Sequence, residues 1–190
     1  MDEAYAAACR TRRLAVLDRL EGAALILPAA PQPRAGRDTE LRYVPDTDLF
    51  YLTGYTEPEA VAVLCPGHEA PFTLFVRPRD PAAERWTGVR GGVEAAERFG
   101  ADAAYPIAEL ESRLATITRE ADRLLLRIGN GREDVEGVVR RLLAQGRDRR
   151  QRWGHGPHIL ADAGTVLDDM RLIKDDVELD RMRAAADVTM

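Results

Sequence analysis

Cysteine is scarce in this 190-residue chain: Cys9 and Cys65 are the whole supply. They lack the paired spacing of a zinc site and are too few for a disulfide framework, so they read as reduced, buried thiols of a cytoplasmic protein. No apolar run approaches a membrane span, and the opening MDEAYAAACRTRR lacks the basic segment and long apolar stretch of a signal peptide. A soluble protein without a membrane partner is expected. Lysine is nearly missing; Lys174 stands alone and every other positive charge is arginine. The net charge of −5 argues against nucleic acid as a partner. Also absent are a Gly-rich phosphate loop followed by Lys and Ser or Thr, a nucleophile-elbow serine between glycines, and a cysteine with a matching histidine. GVRGG, residues 88–92, is no dinucleotide fingerprint, because it does not sit between strand and helix of a compact βαβ unit.

What is present is an ordinary globular composition, 45% hydrophobic and 31% charged, at the size of one domain. The densest stretch is 42–64, RYVPDTDLFYLTGYTEPEAVAVL. Phe50, Tyr51 and Leu52 predict a buried strand bounded by Asp46, Asp48 and Gly54. Gly54 and Pro58 then turn the chain into a second strand, AVAVLC, 60–65, closed by Pro66 and Gly67, so a hairpin-like unit is expected. FTLFV, 72–76, adds a third neighbour and an antiparallel meander. Upstream, residues 2–21 place Tyr5, Cys9, Val16, Leu17 and Leu20 on one helical face, Gly22 stops that helix, and AALIL, 23–27, is a short buried strand. Residues 28–40 form a long Pro-, Ala- and Gly-rich loop.

Downstream, Asp80 and Pro81 start a helix that carries Trp86, and Gly88, Gly91 and Gly92 follow. A large aromatic among arginines and glycines is a candidate surface anchor. VEAAERFG reads as a short helix, ADAAYPI as an edge strand, AELESRLATITRE as a helix, RLLLRI, 123–128, as a buried strand, and EDVEGVVRRLLAQ as a helix. The basic run RDRRQR, 147–152, reads as a solvated loop. His68 lies in a turn and reads as solvent-exposed. His155 and His158, with Asp162 after them, are interrupted by Pro157, and no metal site is assigned to them. A last helix from about 176 repeats Val177, Leu179, Met182 and Ala186. Strands cluster first and then alternate with helices. The expected fold is α/β, a mixed sheet of about six strands flanked by helices, five of them from AALIL, LFYL, AVAVL, FTLFV and RLLLRI.

Four strings in order, YLTGYTEPEAVAVL, RPRDPAAERWTGVRGG, FGADAAYPIAEL and DDMRLIKDDVELDRMRAAADVT, resemble the N-terminal domain of aminopeptidase P, the Xaa-Pro aminopeptidases. The family pattern has an aromatic-rich YLTG or YFTG before EPEA, and a tryptophan followed by glycine and arginine, matched by Trp86, Gly88 and Arg90. One departure is visible: where the family commonly has arginine directly after an aromatic, this chain has Val44, while Arg42 precedes Tyr43. The resemblance implies the non-catalytic domain of a two-domain metallopeptidase that removes an N-terminal residue preceding proline. Residues 1–175 would be the N-terminal domain and 176–190 a junction helix to a C-terminal pita-bread domain. That domain would bind two divalent metals, with manganese the ion the resemblance implies, through ligands outside this chain, so no catalytic or metal-binding residue is assigned here. Asp38, Trp86 and Arg90 would contact the substrate entrance or a neighbouring subunit. The implied partners are the catalytic domain, a second copy in a dimer or tetramer, and a peptide with proline second. Prolidase- and creatinase-type enzymes share the two-domain plan, and a stand-alone interaction module is the further alternative. The EPEA and Trp-x-Gly-x-Arg spacing favours aminopeptidase P over the first.

Overall fold

The computed structural model describes residues 2–37 and 39–189. Helix α1 (Glu3–Arg19) leads into strand β1 (Ala23–Pro28), whose six residues are all buried. A small hairpin of β2 (Arg34–Ala35) and β3 (Thr39–Glu40) follows, then helix α2 (Thr47–Thr53), and the hairpin β4 (Val61–Leu64) and β5 (Phe72–Val76). Next come α3 (Pro81–Thr87), a 3-10 helix (Val93–Phe99), β6 (Ala103–Pro106), α4 (Leu110–Ile117), β7 (Arg123–Leu126) and the long α5 (Glu133–Trp153). Strand β8 (Ile159–Asp162), α6 (Gly164–Leu172) and α7 (Asp176–Thr189) complete the chain.

The strands form one six-stranded mixed sheet in the order β6-β5-β4-β1-β7-β8. β1 pairs antiparallel with β4, Leu25 opposite Leu64, and parallel with β7, Leu25 opposite Leu125. Alternation along each strand sends side chains to opposite faces. Leu25 and Leu27 of β1, Ala62 and Leu64 of β4, and Phe72, Leu74 and Val76 of β5 meet Val16, Leu20, Leu49, Leu52 and Leu167, from α1, α2 and α6, on one face. Ala24, Ile26, Val61, Val63 and Phe75 meet Leu114, Val135, Val139 and Leu142, from α4 and α5, on the other. Apolar runs too short for helices are therefore buried on both sides, the condition for strands inside a three-layer fold.

The sheet excludes LFYL. Residues 49–52, read as a strand from their aromatic content, lie in helix α2, so the hairpin expected at 42–64 is absent and the antiparallel meander is β1-β4-β5. The cause lies at both ends of α2. Asp46 caps its start, accepting the N–H groups of Asp48 and Leu49 at 3.0 Å each, and Gly54 ends it in the left-handed conformation at φ 69°. Helix α1 then satisfies the carbonyls that a helix end leaves open. Tyr5 Oη donates to Phe50 O at 3.2 Å, Cys9 Sγ and Arg12 Nη1 to Tyr51 O at 3.6 and 3.0 Å, and Arg13 Nη1 to Leu52 O at 2.8 Å. Two buried guanidiniums at a helix carboxyl terminus also suit its dipole.

The arginine run 147–152 is likewise helical, since α5 continues to Trp153 and ends at Gly154 with φ 79°. Tertiary contacts extend it: Gly146 lies against the Pro157 carbonyl, and Arg150 Nη1 holds Asp122 Oδ1 at 2.7 Å. Strand β8 was not expected. It completes the six in place of LFYL, as an edge strand only partly buried.

Candidate functional site

β1, β5, β6, β7 and β8 all run the same way, and β4 alone runs against them. Their carboxyl ends and the entry to β4 therefore share one rim of the sheet, the edge at which open α/β folds place ligand-binding loops. Trp86 and Arg90, both predicted site residues, lie on this rim in the segment that follows β5. Asp38, the third, lies outside the described residues. The β2-β3 hairpin leaves the same rim after β1, with Arg34 Nη2 at 3.7 Å from Glu40 Oε1.

Helix α3 is short, so its geometry depends on side chains around its start. Asp80 Oδ1 accepts the N–H groups of Ala82 and Ala83 at 3.1 Å each, and Glu84 accepts the Asp80 N–H at 3.2 Å while pairing with Arg79 at 3.1 Å. That pairing holds the Glu84 carboxyl below its usual range. Past Gly88 the chain is pinned by Glu57, whose Oε1 accepts the Gly91 N–H at 2.8 Å and whose Oε2 lies 3.8 Å from Arg77 Nη2. Trp86 and Val89 project from this clamped segment, 88% and 81% exposed.

Beneath the loop, Tyr55 is fully buried and meets Phe99 edge-on at 5.0 Å. Burial, and then the charge of Glu57, push its hydroxyl pKa far up, so it stays protonated. The Tyr55 hydroxyl, Glu57 Oε2, Arg77 Nε and Arg90 Nε are all shielded from solvent without a hydrogen-bond partner among the described residues. Sequence reasoning singled out Arg90 here but passed over Tyr55, Glu57 and Arg77. The signal for Glu57 was the EPE step itself, an acid held beside Pro58 immediately before a buried strand.

On the β7 side of the rim, Asp48 accepts Arg127 Nε and Nη2 at 3.1 and 3.0 Å and pairs with Arg171. Arg127 also reaches Asp168 at 2.6 Å and Asp162 at 3.4 Å, tying α2, β7, β8 and α6 together. His155 Nδ1 lies 3.5 Å from Glu120 Oε2, while the His158 N–H donates to Asp122 O at 3.0 Å. Asp162 is engaged by Arg127 and by the Gly164 N–H at 2.7 Å, so these three residues serve separate contacts. Among the described residues no group of three His, Cys, Asp or Glu side chains is placed to hold a metal ion.

The family model described as "Aminopeptidase P, N-terminal domain" matches residues 9–126, more than half of the chain. The Xaa-Pro aminopeptidase of Escherichia coli is 32% identical over 183 residues, covering 94% of this chain and 41% of that protein. Xaa-Pro aminopeptidase 1 of Streptomyces coelicolor is 28% identical, covering 98% of this chain and 37% of that protein. Among solved structures, the aminopeptidase PepP of Pseudomonas aeruginosa superposes with a TM-score of 0.87 at 34% identity over 96% of this chain and 42% of its own. Aminopeptidase P from E. coli gives 0.86 at 31% identity, over 97% of this chain and 42% of its own. The chain thus spans about two fifths of the length of the relatives it matches.

Proposed function

Because this chain belongs to the aminopeptidase P N-terminal domain family, we propose that it is the non-catalytic domain of a metal-dependent Xaa-Pro aminopeptidase, which removes an N-terminal residue preceding proline. In this reading residues 1–175 are the domain and 176–190 the junction to a catalytic domain carrying two divalent metals, with manganese the expected ion. The described donors of this chain do not fit such a pair, so no step of bond cleavage is assigned to them.

The domain's own role is positional, and the observation that carries it is Trp86. A tryptophan 88% exposed on a segment clamped by Glu57, Asp80 and Glu84 is an anchor prepared for a partner surface. Trp86 and Arg90, with Asp38, are proposed to line the entrance for a peptide with proline second, or to meet a neighbouring subunit of a dimer or tetramer.

Helix α7 supports the junction. Its start is tied to α1 through Arg12 and Asp175 at 2.6 Å, and through Arg181, which pairs with Asp2 at 2.6 Å and lies over the Tyr5 ring. Leu172, Ile173 and Met182 nevertheless stay exposed, and Met182 borders an apolar cleft of about 450 Å³ lined by Tyr5, Val44, Pro45, Phe50 and Tyr51. That surface is assigned to the protein's own catalytic domain, since the matched region makes up only about two fifths of the relatives' length. Cys9 and Cys65 are free thiols, in keeping with a cytoplasmic home, and no described helix is long and apolar enough to cross a membrane.

Full-length protein supplied with manganese should release the first residue of an Xaa-Pro peptide, and the 190-residue chain should not. Full-length protein inert on such peptides would overturn the assignment, and turnover by the 190-residue chain would overturn the non-catalytic role.

A further inference from the structure

We propose that the cleft beside the Trp86 segment is a carboxylate subsite, which takes the C-terminal carboxylate of a short peptide. It rests on the reading of that segment as a substrate entrance. The cleft measures about 430 Å³ and lies between residues 88–92 and the following 3-10 helix. Arg79, Arg90 and Arg98 line it against one carboxylate, Glu94, and Val89 forms an apolar wall.

The three arginines are not equivalent. Arg79 is committed to Glu84, with its Nη2 at 3.1 Å and its Nε at 3.4 Å. The Arg90 and Arg98 side chains carry no hydrogen bond or ion pair among the described residues, and Arg90 Nε is shielded from water as well. A guanidinium donor removed from solvent and left without an acceptor is costly, and a carboxylate oxygen relieves that cost with a charge-assisted bond. Three arginines, Arg79, Arg90 and Arg98, thus stand against two carboxylates, Glu84 and Glu94, leaving one positive charge in excess. That balance fits a monoanion and disfavours a phosphate dianion. Guanidinium forks also match the planar carboxylate in shape.

The double glycine of GVRGG builds the floor. A Cβ on Gly92, whose φ is +66°, would stand 2.6 Å from Arg79 Cγ, and one on Gly91 would stand 2.9 Å from both Ala95 Cβ and Glu57 Oε1. Side chains at 91 and 92 would displace Arg79 and the Glu57 clamp together. The two glycines therefore let the guanidiniums and the loop backbone share one concave surface. Val89, 81% exposed, joins that surface to the Trp86 side, so a peptide passing the tryptophan would bring its far end to the arginines.

The test is an NMR titration of the 190-residue chain with N-acetyl-triglycine as free acid and as C-terminal amide, and with N-acetyl-Asp-Gly-Gly amide. The free acid should shift the Gly91 and Gly92 amide signals and the Arg90 and Arg98 Nε–H signals saturably, and the triglycine amide should not. Arg98→Gln, with its spectrum otherwise dispersed as in the parent chain, should weaken the response at least fivefold. Equal shifts by acid and amide, or a response untouched by Arg98→Gln, would overturn the subsite. Equal binding of the peptide with an internal aspartate would overturn the assignment to the terminus. In the full-length protein, an Xaa-Pro tripeptide acid should exceed its amide in kcat/KM several-fold, and Arg98→Gln should bring that ratio towards one. A ratio of one in the unmodified enzyme overturns the subsite while leaving the entrance reading intact. If neither tripeptide is cleaved, the entrance reading fails and the titration still decides the subsite.

Discussion

Glu57 and Gly91, thirty-four residues apart, are joined by a 2.8 Å hydrogen bond from the Gly91 N–H to Glu57 Oε1, and this contact ties the entry of β4 to the loop after α3. Glu57→Ala should release that loop. The Gly91 N–H would lose its acceptor and Arg77 its ion-pair partner, at a cost of about 1–3 kcal/mol. Hydrogen exchange at Gly91 should accelerate at least tenfold while β1 and β4 keep their protection. Unchanged exchange at Gly91 would mean that the loop is held by other contacts.

Glycine to alanine inside a helix ordinarily stabilises, by up to about 1 kcal/mol. At Gly146 the sign should reverse. A Cβ there would lie 2.0 Å from the Pro157 carbonyl oxygen, so α5 must move off the segment that leads into β8. Overpacking of this kind costs about 1–3 kcal/mol, read as a lower urea midpoint with unchanged slope. A midpoint equal to or above the parent's would show that the close approach is relieved without cost.

Asp134 makes part of the stability dependent on pH. The Arg132 guanidinium, hydrogen-bonded to it at 2.8 and 2.9 Å, holds its carboxyl below the usual carboxylate value, and that arginine is itself buried. A carboxyl with a depressed folded pKa adds stability that is present above its unfolded value, near 3.9, and is lost as pH falls through the folded value. Asp134 is largely exposed, so Asp134→Asn should cost only about 1 kcal/mol at pH 7. The gap between variant and parent should close as the pH drops below about 4. A gap that persists in acid would exclude the charge as its source.

Much of the sheet was legible because AALIL and AVAVL are unbroken apolar runs, and FTLFV and RLLLRI are largely apolar, all too short to be helices. LFYL has the same composition and a different fate. Its local signals, Asp46 before and Gly54 after, are those of a helix, but aromatic content outweighed them. The deciding partners, Tyr5, Arg12 and Arg13, come from about forty residues away, and no local pattern announces them. Strand β8 was hidden for the opposite reason, since an edge strand with exposed Ile159 carries little apolar signal. At the rim, Trp86 was conspicuous by type and Gly91 and Gly92 by repetition. Glu57 and Arg77 could be recognised only once β4 and β5 stood side by side.

Helix α7 provides a further prediction. Residues 180–188 are exposed, and the ties to α1 lie near the helix's start. In the 190-residue chain the amides of 182–188 should exchange on the timescale of an isolated short helix, since a short helix this exposed is marginal. In the full-length protein the same amides should be protected by at least a hundredfold. Equal protection in both would remove α7 from the proposed interface with the catalytic domain.

The most direct measurement is Trp86→Ala in the full-length protein, comparing kcat/KM on an Xaa-Pro peptide and oligomeric state with the Tm of the 190-residue chain carrying the same change. A side chain 88% exposed contributes little to folding, so the Tm of the short chain should move by less than about 2 °C, while full-length kcat/KM falls at least tenfold or the oligomer dissociates. Normal kinetics and assembly would contradict the account, and would leave Trp86 an exposed aromatic without a partner.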